Sequence, residues 1–498
     1  MATKQEVHLQ VGDVYALQEK ETGKWFAFQI VEIGEEYAVY VDLDYWSEKM
    51  PEASDLDKMS YLWLNHHFWN NVISHCWAPI KFFPSRAKRI GSMVIRPFKE
   101  CKGYGNWTDG SQQKKQEKWD KLPKDLVTAF KEAQAKWNET IVIGNKEVRR
   151  NLYGLFDDIL SAVSSFSEFD KLPGLVRITT TKDYPQLIPF LECRYLIREL
   201  VWDNCQRREV DLSRTHLEEL EISGKNIEII NLPSSISNLT LRGTLSPNLR
   251  IYSPNEGSFM VLWVEMQDDF LPNVGLGRLT DLRLTNIRDL DLQSIPSKFP
   301  GLMRLVLAGK PGYIRNLAEI SKLYDLEALT IDDLFGFSAD DFPRPESFPE
   351  LRHLWIESIP ADAGKIIKKL YKGKIQDLSV LKLRSDEWLH ENLNNPLRHW
   401  DGSEFVSKSK YTKSVTLWKE TRRRIIEETN HPDIDFSIIK SIAIDYIEGF
   451  NKLDSRSQFI ETEEREDIIH AFEQILDEVG YDKGREEILQ IMDEKRNW

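Results

Sequence analysis

In "NHHFWNNVISHC" the residues His66, His67, His75 and Cys76 stand close together, and imidazole and thiol groups can ligate zinc or move protons. Adjacent histidines diverge on a strand or a helix, and this spacing matches no standard zinc motif. An enzyme with an unrecognised site near His66, His67 and His75 is therefore carried only as an alternative. The carboxylate pairs Asp157/Asp158, Asp268/Asp269 and Asp332/Asp333 are sequence neighbours whose side chains point apart, which favours solvation over a shared proton. The chain contains no GxxxxGK[ST] loop, GxSxG elbow or strand-linked GxGxxG, so nucleotide-dependent and hydrolase chemistry lacks its usual anchors. No catalytic residue, metal ligand or cofactor is assigned.

The chemistry to expect is that of a surface. At 498 residues the chain exceeds one ordinary core and is expected to form several domains. A formal charge of -14 disfavours binding to phosphate backbones or anionic lipid, so neither nucleic acid nor membrane is an expected partner. Residues 1–17 lack a basic start followed by an apolar run, no stretch is long and apolar enough to span a bilayer, and the four cysteines lack CxxC spacing. A cytoplasmic location is the expectation from these features.

"GLMRLVLAGK", from Gly301, places leucines three and then two residues apart, and the pattern recurs. Tight copies start at Leu279, Leu326, Leu351 and Leu378, and looser ones at Ile197, Leu217, Ile236 and Phe259. Successive starts lie about 19 to 27 residues apart. One copy would suit any buried strand; nine at near-constant period require stacking, because a single repeat has too few apolar residues to offset its ordering entropy.

Residues 190 to 385 thus resemble the leucine-rich repeat family, through LxxLxL in each copy. The resemblance implies a solenoid of parallel strands with an open concave face used for binding. The Asn or Cys that the family carries after the strand is absent: the slot holds Ile287 in one copy and Lys310 in another. Alternation along the strands aims Val201, Glu221, Thr240, Trp263, Arg283, Val306, Thr330, Trp355 and Lys382 outward as a central column. Large aromatics at such positions are typical binding anchors. Trp263 and Trp355 are the expected partner-binding anchors, with Arg283, Glu265, Glu357 and Lys382 as polar contacts.

Ahead of the repeats, residues 10 to 46 read as three short antiparallel strands cut by "KETGK" and "IGEE". A further strand is expected at "GSMVIRPF", before a glycine-rich loop. The order "GDVYAL", turn, "GKWFAFQIVEI" resembles the start of bacterial immunity protein family 26, which implies a cytoplasmic protein that neutralises a toxin by binding it. "LPKDLVTAFKEAQAKW" predicts a helix with Leu122, Leu126, Phe130 and Trp137 on one side, and "LYGLFDDILSAVSSF" predicts another. Toward the C-terminus, "TEEREDIIHAFEQILDEVG" predicts a helix capped by Thr462 and ended by Gly480, packed in a small bundle with "DFSIIKSIAIDYIEGF".

The expected architecture is a multidomain α+β chain. It comprises a β-rich N-terminal domain (1–112), a helical connector (113–190), a leucine-rich solenoid (191–385), a cap and linker (386–415) and a helical C-terminal domain (416–498). The expected function is non-enzymatic binding of a protein partner, in its sharpest form a bacterial toxin domain blocked by an immunity protein. An adaptor or regulator with an endogenous protein partner is the alternative. A ubiquitin ligase fused to the repeats is excluded, since its nucleophilic cysteine would follow them and every cysteine here lies at or before Cys205.

Overall fold

The computed structural model describes residues 8–99, 101–267, 269–272, 274–392, 395–403, 405–430, 435–455 and 458–498. The expectation for the Asp268/Asp269 pair falls partly outside them. The chain divides into two compact units, Met1–Leu381 and Lys382–Trp498.

The first unit opens with the expected meander: β1 (Asp13–Gln18), β2 (Trp25–Ile33) and β3 (Tyr37–Ser47), paired antiparallel in sequence order. A short hairpin, β4 (Trp63–Leu64) and β5 (Val72–Ile73), leads to β6 (His75–Pro79), which pairs with β3. β7 (Lys88–Ser92) closes the other edge against β1, starting a few residues earlier than the strand expected at "GSMVIRPF". Apolar side chains fill both faces of this sheet: Val14, Val39, Val41 and Leu43 lie on one, and Phe26, Phe28 and Ile30 on the other. Helix α1 (Ser111–Asp120) starts at Gly110, in the left-handed region at φ 85°, where an added Cβ would lie 2.7 Å from the Phe26 ring. Only glycine lets the helix approach so closely. Helix α2 (Lys124–Ala135) buries Phe130, but it ends before Trp137, which stands exposed beneath Arg149 instead of sharing the apolar side.

The segment read as a helical connector turns to β structure after α2. A hairpin of β8 (Thr140–Ile143) and β9 (Lys146–Arg149) precedes β10 (Gly154–Leu155), and the helix expected at "LYGLFDDILSAVSSF" shrinks to α3 (Asp157–Leu160). β11 (Arg177–Thr180) follows, then α4 (Leu187–Glu192) and β12 (Glu199–Trp202). β13 (Glu209–Asp211), β15 (Ile229–Asn231) and β17 (Arg250–Tyr252) form a separate three-stranded parallel sheet. Alternating with them in the chain are β14 (Glu219–Ser223), β16 (Asn238–Arg242) and, after β17, β18 (Val261–Glu265). β19 (Asp281–Asp291), α5 (Ile295–Lys298), β20 (Arg304–Arg315), β21 (Ala328–Phe335), β22 (His353–Glu357), α6 (Ala361–Tyr371) and β23 (Asp377–Leu381) complete the unit.

All of these except the β8–β9 hairpin and the three-stranded set join one eleven-stranded parallel sheet in the order β10-β11-β12-β14-β16-β18-β19-β20-β21-β22-β23. The register is constant at the leucine positions. Leu239 pairs with Leu262, that with Leu282, then Leu305, Leu329 and Leu354 in turn, and each is almost wholly buried. Each such leucine is worth about 1.5 to 3 kcal/mol, realised against the neighbouring strands and the buried apolar residues of the intervening segments, such as Phe299, Leu302, Ile320 and Leu326.

The second unit holds α7 (Asp386–Asn392), α8 (Lys408–Thr429), α9 (Phe436–Asp454), α10 (Thr462–Glu478) and α11 (Arg485–Lys495). As expected, the apolar stripe Ile468, Phe472, Ile475 and Leu476 of α10 packs with Tyr446, Ile447 and Phe450 of α9. The cap is Glu461, in a reciprocal box with Glu464, and Thr462 is the first helical residue.

One buried charge sets a pH dependence. Asp42 of β3 is 1% exposed, and its carboxylate accepts from the Ser74 hydroxyl at 2.6 Å. Burial pushes its pKa up to about 6 against hydrogen bonds that lower it. The folded chain therefore holds a proton that the unfolded chain gives up near pH 4, so this residue's contribution to stability falls as pH rises from about 4 to about 6. Asp42→Asn is expected to match the wild type near pH 4 and to exceed it by about 2 kcal/mol at pH 8. Urea unfolding of both proteins across that range checks this; parallel curves would contradict it.

Candidate interaction surface

The outward side chains of the parallel sheet form three rows. The central row runs Thr179, Val201, Glu221, Thr240, Trp263, Arg283, Val306, Thr330, Trp355 and Ser379, each register-paired with the next. The leading row, two residues earlier on each strand, carries Glu199, Glu219, Asp281, Arg304, His353 and Asp377 among others; the trailing row, two later, includes Arg242, Glu265, Thr285, Asp332 and Glu357.

The sequence phasing holds for eight rungs and fails at the ninth. "LSVLKL" contains two overlapping frames, Leu378-x-Val380 and Leu381-x-Leu383, and Leu378 is the residue that pairs with Leu354. The last central position is therefore Ser379. Lys382 lies beyond β23, at a φ of 43°. Its expected place in the central row is corrected accordingly.

That φ belongs to a pattern. Asn204, Gly243, Asn286, Asp333, Ser358 and Lys382 all adopt left-handed φ between 43° and 71°, each two residues past the second inward side chain of its strand. The left-handed conformation kinks the backbone there, and it is suited to Gly, Asn and Asp and costlier for Ser and Lys. At Asn286 and Asp333 the strand continues beyond the kink. Ile287, in the slot of the absent Asn, is 1% exposed in the core.

Trp263 and Trp355 stand 39% and 47% exposed. Four rungs separate them, about 19 Å at the usual strand spacing. Each indole is tethered along its edge: Trp263 Nε1 donates to Thr285 Oγ1 at 2.9 Å, and Trp355 Nε1 donates to Glu357 Oε2 at 3.3 Å. A fixed ring loses less entropy when a partner covers it. Between them Arg283 forks onto Asp281 at 3.1 and 3.3 Å, and on the other side of Trp263 Arg242 of β16 bridges Glu221 and Glu265, the latter at 3.1 Å. Farther along, Val201 is 8% exposed, and burial raises the pKa values of Glu219 and Glu221 above the usual carboxylate range.

The histidines make a different arrangement. His66 Nδ1 and His67 Nδ1 lie 3.1 Å apart, while His75 turns away to the Ile73 carbonyl at 2.8 Å. Burial lowers the pKa of His66 and takes His67 down to about 3, so both rings are neutral at physiological pH. Among the described residues no three His, Cys, Asp or Glu side chains are placed to hold a metal ion. Asp157 and Asp158 point apart as expected, but solvation does not hold for Asp157, which accepts from Thr180 Oγ1, Thr181 N, Thr181 Oγ1 and Tyr184 OH and ties α3 to the end of β11; Asp158 pairs with Lys146 at 2.6 Å. Asp333 departs from the same expectation, being 5% exposed.

No protein-family model and no curated protein matches the chain. Among solved structures it is similar to human 5T4 (Wnt-activated inhibitory factor 1, trophoblast glycoprotein), at 15% identity and a TM-score of 0.26 over 39% of this chain and 80% of that one. It is also similar to TLR13 in a TLR13–ssRNA13 complex, at 16% identity and a TM-score of 0.30 over 49% of this chain and 40% of that one.

The inward and outward rows should answer differently to truncation. Leu305→Ala, at a fully buried rung position, is expected to cost about 2 to 5 kcal/mol of stability, and Trp263→Ala less than about 1 kcal/mol. Chemical denaturation followed by circular dichroism measures both, and equal losses would place Trp263 in the core.

Proposed function

We propose that the chain is a leucine-rich repeat protein without catalytic activity that grips a folded protein partner on the open face of its parallel sheet. The observation that carries this reading is the pair of tethered, exposed indoles in the central row. Apolar rings left in water at fixed positions are the usual anchors of a protein interface. Their separation of about 19 Å exceeds most small ligands and suits a macromolecular surface.

The sharper form of the reading is an immunity protein of the bacterial cytoplasm that covers a cognate toxin. Its support is the antiparallel β1–turn–β2 pair formed by "GDVYAL" and "GKWFAFQIVEI", the strand–turn–strand pattern on which the sequence resemblance rests. Co-expression with a lethal neighbouring gene tests that form, and a neighbour that is harmless without this protein removes it.

Trp263→Ala combined with Trp355→Ala is expected to weaken capture of the partner by at least about 2 kcal/mol, roughly 30-fold, with the circular dichroism spectrum unchanged. Undiminished capture by the folded double variant would move the binding surface elsewhere.

A further inference from the structure

The central row has one more member, a rung ahead of Thr179. β10 pairs Gly154 with Arg177 and Leu155 with Ile178, and two residues on, Asp157 accepts from Thr180 Oγ1 at 2.6 Å. The residue between, Phe156, is thereby set opposite Thr179. Its backbone is extended, at φ -123° and ψ 166°, Leu155 before it is fully buried, and Phe156 itself is 53% exposed. By alternation it is the outward residue of the first rung.

The ring is also fixed in place. It lies beside Gly154, where an added Cβ would come within 3.9 Å of its Cε2 atom. On the other side Asp157 is held by Thr180, Thr181 and Tyr184, which pins the backbone that carries the ring. Like the tethered indoles, it loses little entropy when covered.

Phe156, Trp263 and Trp355 thus share one row, on the first, sixth and tenth of its eleven rungs. At the usual strand spacing the two intervals are about 24 and 19 Å, about 43 Å together. The rest of the row is Thr, Val or Ser, except Glu221, paired with Arg242, and Arg283, paired with Asp281. Of these residues only Val201 is buried, so the row is accessible on both sides of that rung.

Area decides how much of the row a partner must cover. Outward residues of one strand are about 6.7 Å apart, so three rows make a strip about 13 Å wide. That strip measures about 250 Å² between the two indoles and about 560 Å² from Phe156 to Trp355. A stable interface takes about 800 Å² from each partner. Side-chain relief and the rims of the strip bring the longer footprint into that range and leave the shorter one well below it. A peptide would be poorly held here, because strands already bonded on both sides offer it no main-chain pairing.

Building on the proposed protein-binding role, we infer that Phe156 is a third anchor of this surface, and that the partner is one elongated folded protein domain, at least about 43 Å long, presenting a largely uncharged strip to the central row. The three rings mark the two ends and the middle of its footprint.

The full-length chain is first sedimented alone, as wild type and as the double variant Trp263→Ala with Trp355→Ala. Monomers are expected for both; a wild-type dimer that the variant loses would make a second copy the occupant and overturn the inference. Proteins retained from the native soluble extract by the wild type but not by the double variant are then identified, purified and titrated by calorimetry. Phe156→Ala is expected to weaken such a partner at least about tenfold, and Tyr252→Ala, at an exposed aromatic on the three-stranded sheet, less than about twofold. p-Benzoylphenylalanine placed at Phe156 and, separately, at Trp355 is expected to cross-link the same partner at sites more than about 30 Å apart in its structure. The cross-links need no loss of affinity, so they decide the matter even if Phe156→Ala folds poorly. Cross-links from position 355 alone, attachment sites close together, a peptide as partner, or less than about twofold loss in a folded Phe156→Ala chain refutes the third anchor and the long partner while leaving the protein-binding role in place. Absence of any tryptophan-dependent partner refutes both.

Discussion

The structure depends on one constraint: a parallel ladder in which the inward apolar residue of each rung, a leucine from β12 onward, must meet that of the next. Side chains alternate across a strand with period two, so a slip of one residue would turn the whole apolar set outward. The pairing Leu239, Leu262, Leu282, Leu305, Leu329, Leu354 holds that register over successive strands. Everything on the outer face follows from it. Trp263 and Trp355 are in one row because their flanking residues, Leu262 with Val264 and Leu354 with Ile356, are locked inward.

The same constraint explains what could be read in the sequence. The rungs from Leu200 to Leu354 were legible because each presents two apolar residues around one variable position. β11 was not, because its second inward position is Thr180, whose hydroxyl is satisfied by Asp157, a partner invisible to hydrophobic periodicity. β10 is only two residues long. The last rung was read three residues late because "LSVLKL" offers two equally good frames and only the pairing with β22 chooses between them. The left-handed kink was likewise hidden, since Asn, Gly, Asp, Ser and Lys share a backbone conformation there and no common side chain.

The candidate surface was half legible. The two tryptophans follow from alternation alone. Their tethers to Thr285 and Glu357 require three dimensions, as do the arginine–carboxylate pairs that cross between rungs. The contact of Phe82 with His353 joins the N-terminal sheet region to the far end of the repeats, and no local pattern announces it.

Binding on the open face is the central claim, and oxidative footprinting of the two indoles tests it most directly. In the complex with its partner, hydroxyl-radical oxidation of Trp263 and Trp355 should fall severalfold while Tyr252, exposed on the three-stranded sheet, reacts as in the free protein. Unchanged oxidation of both tryptophans in a saturated complex would contradict the account, whatever other surface became protected.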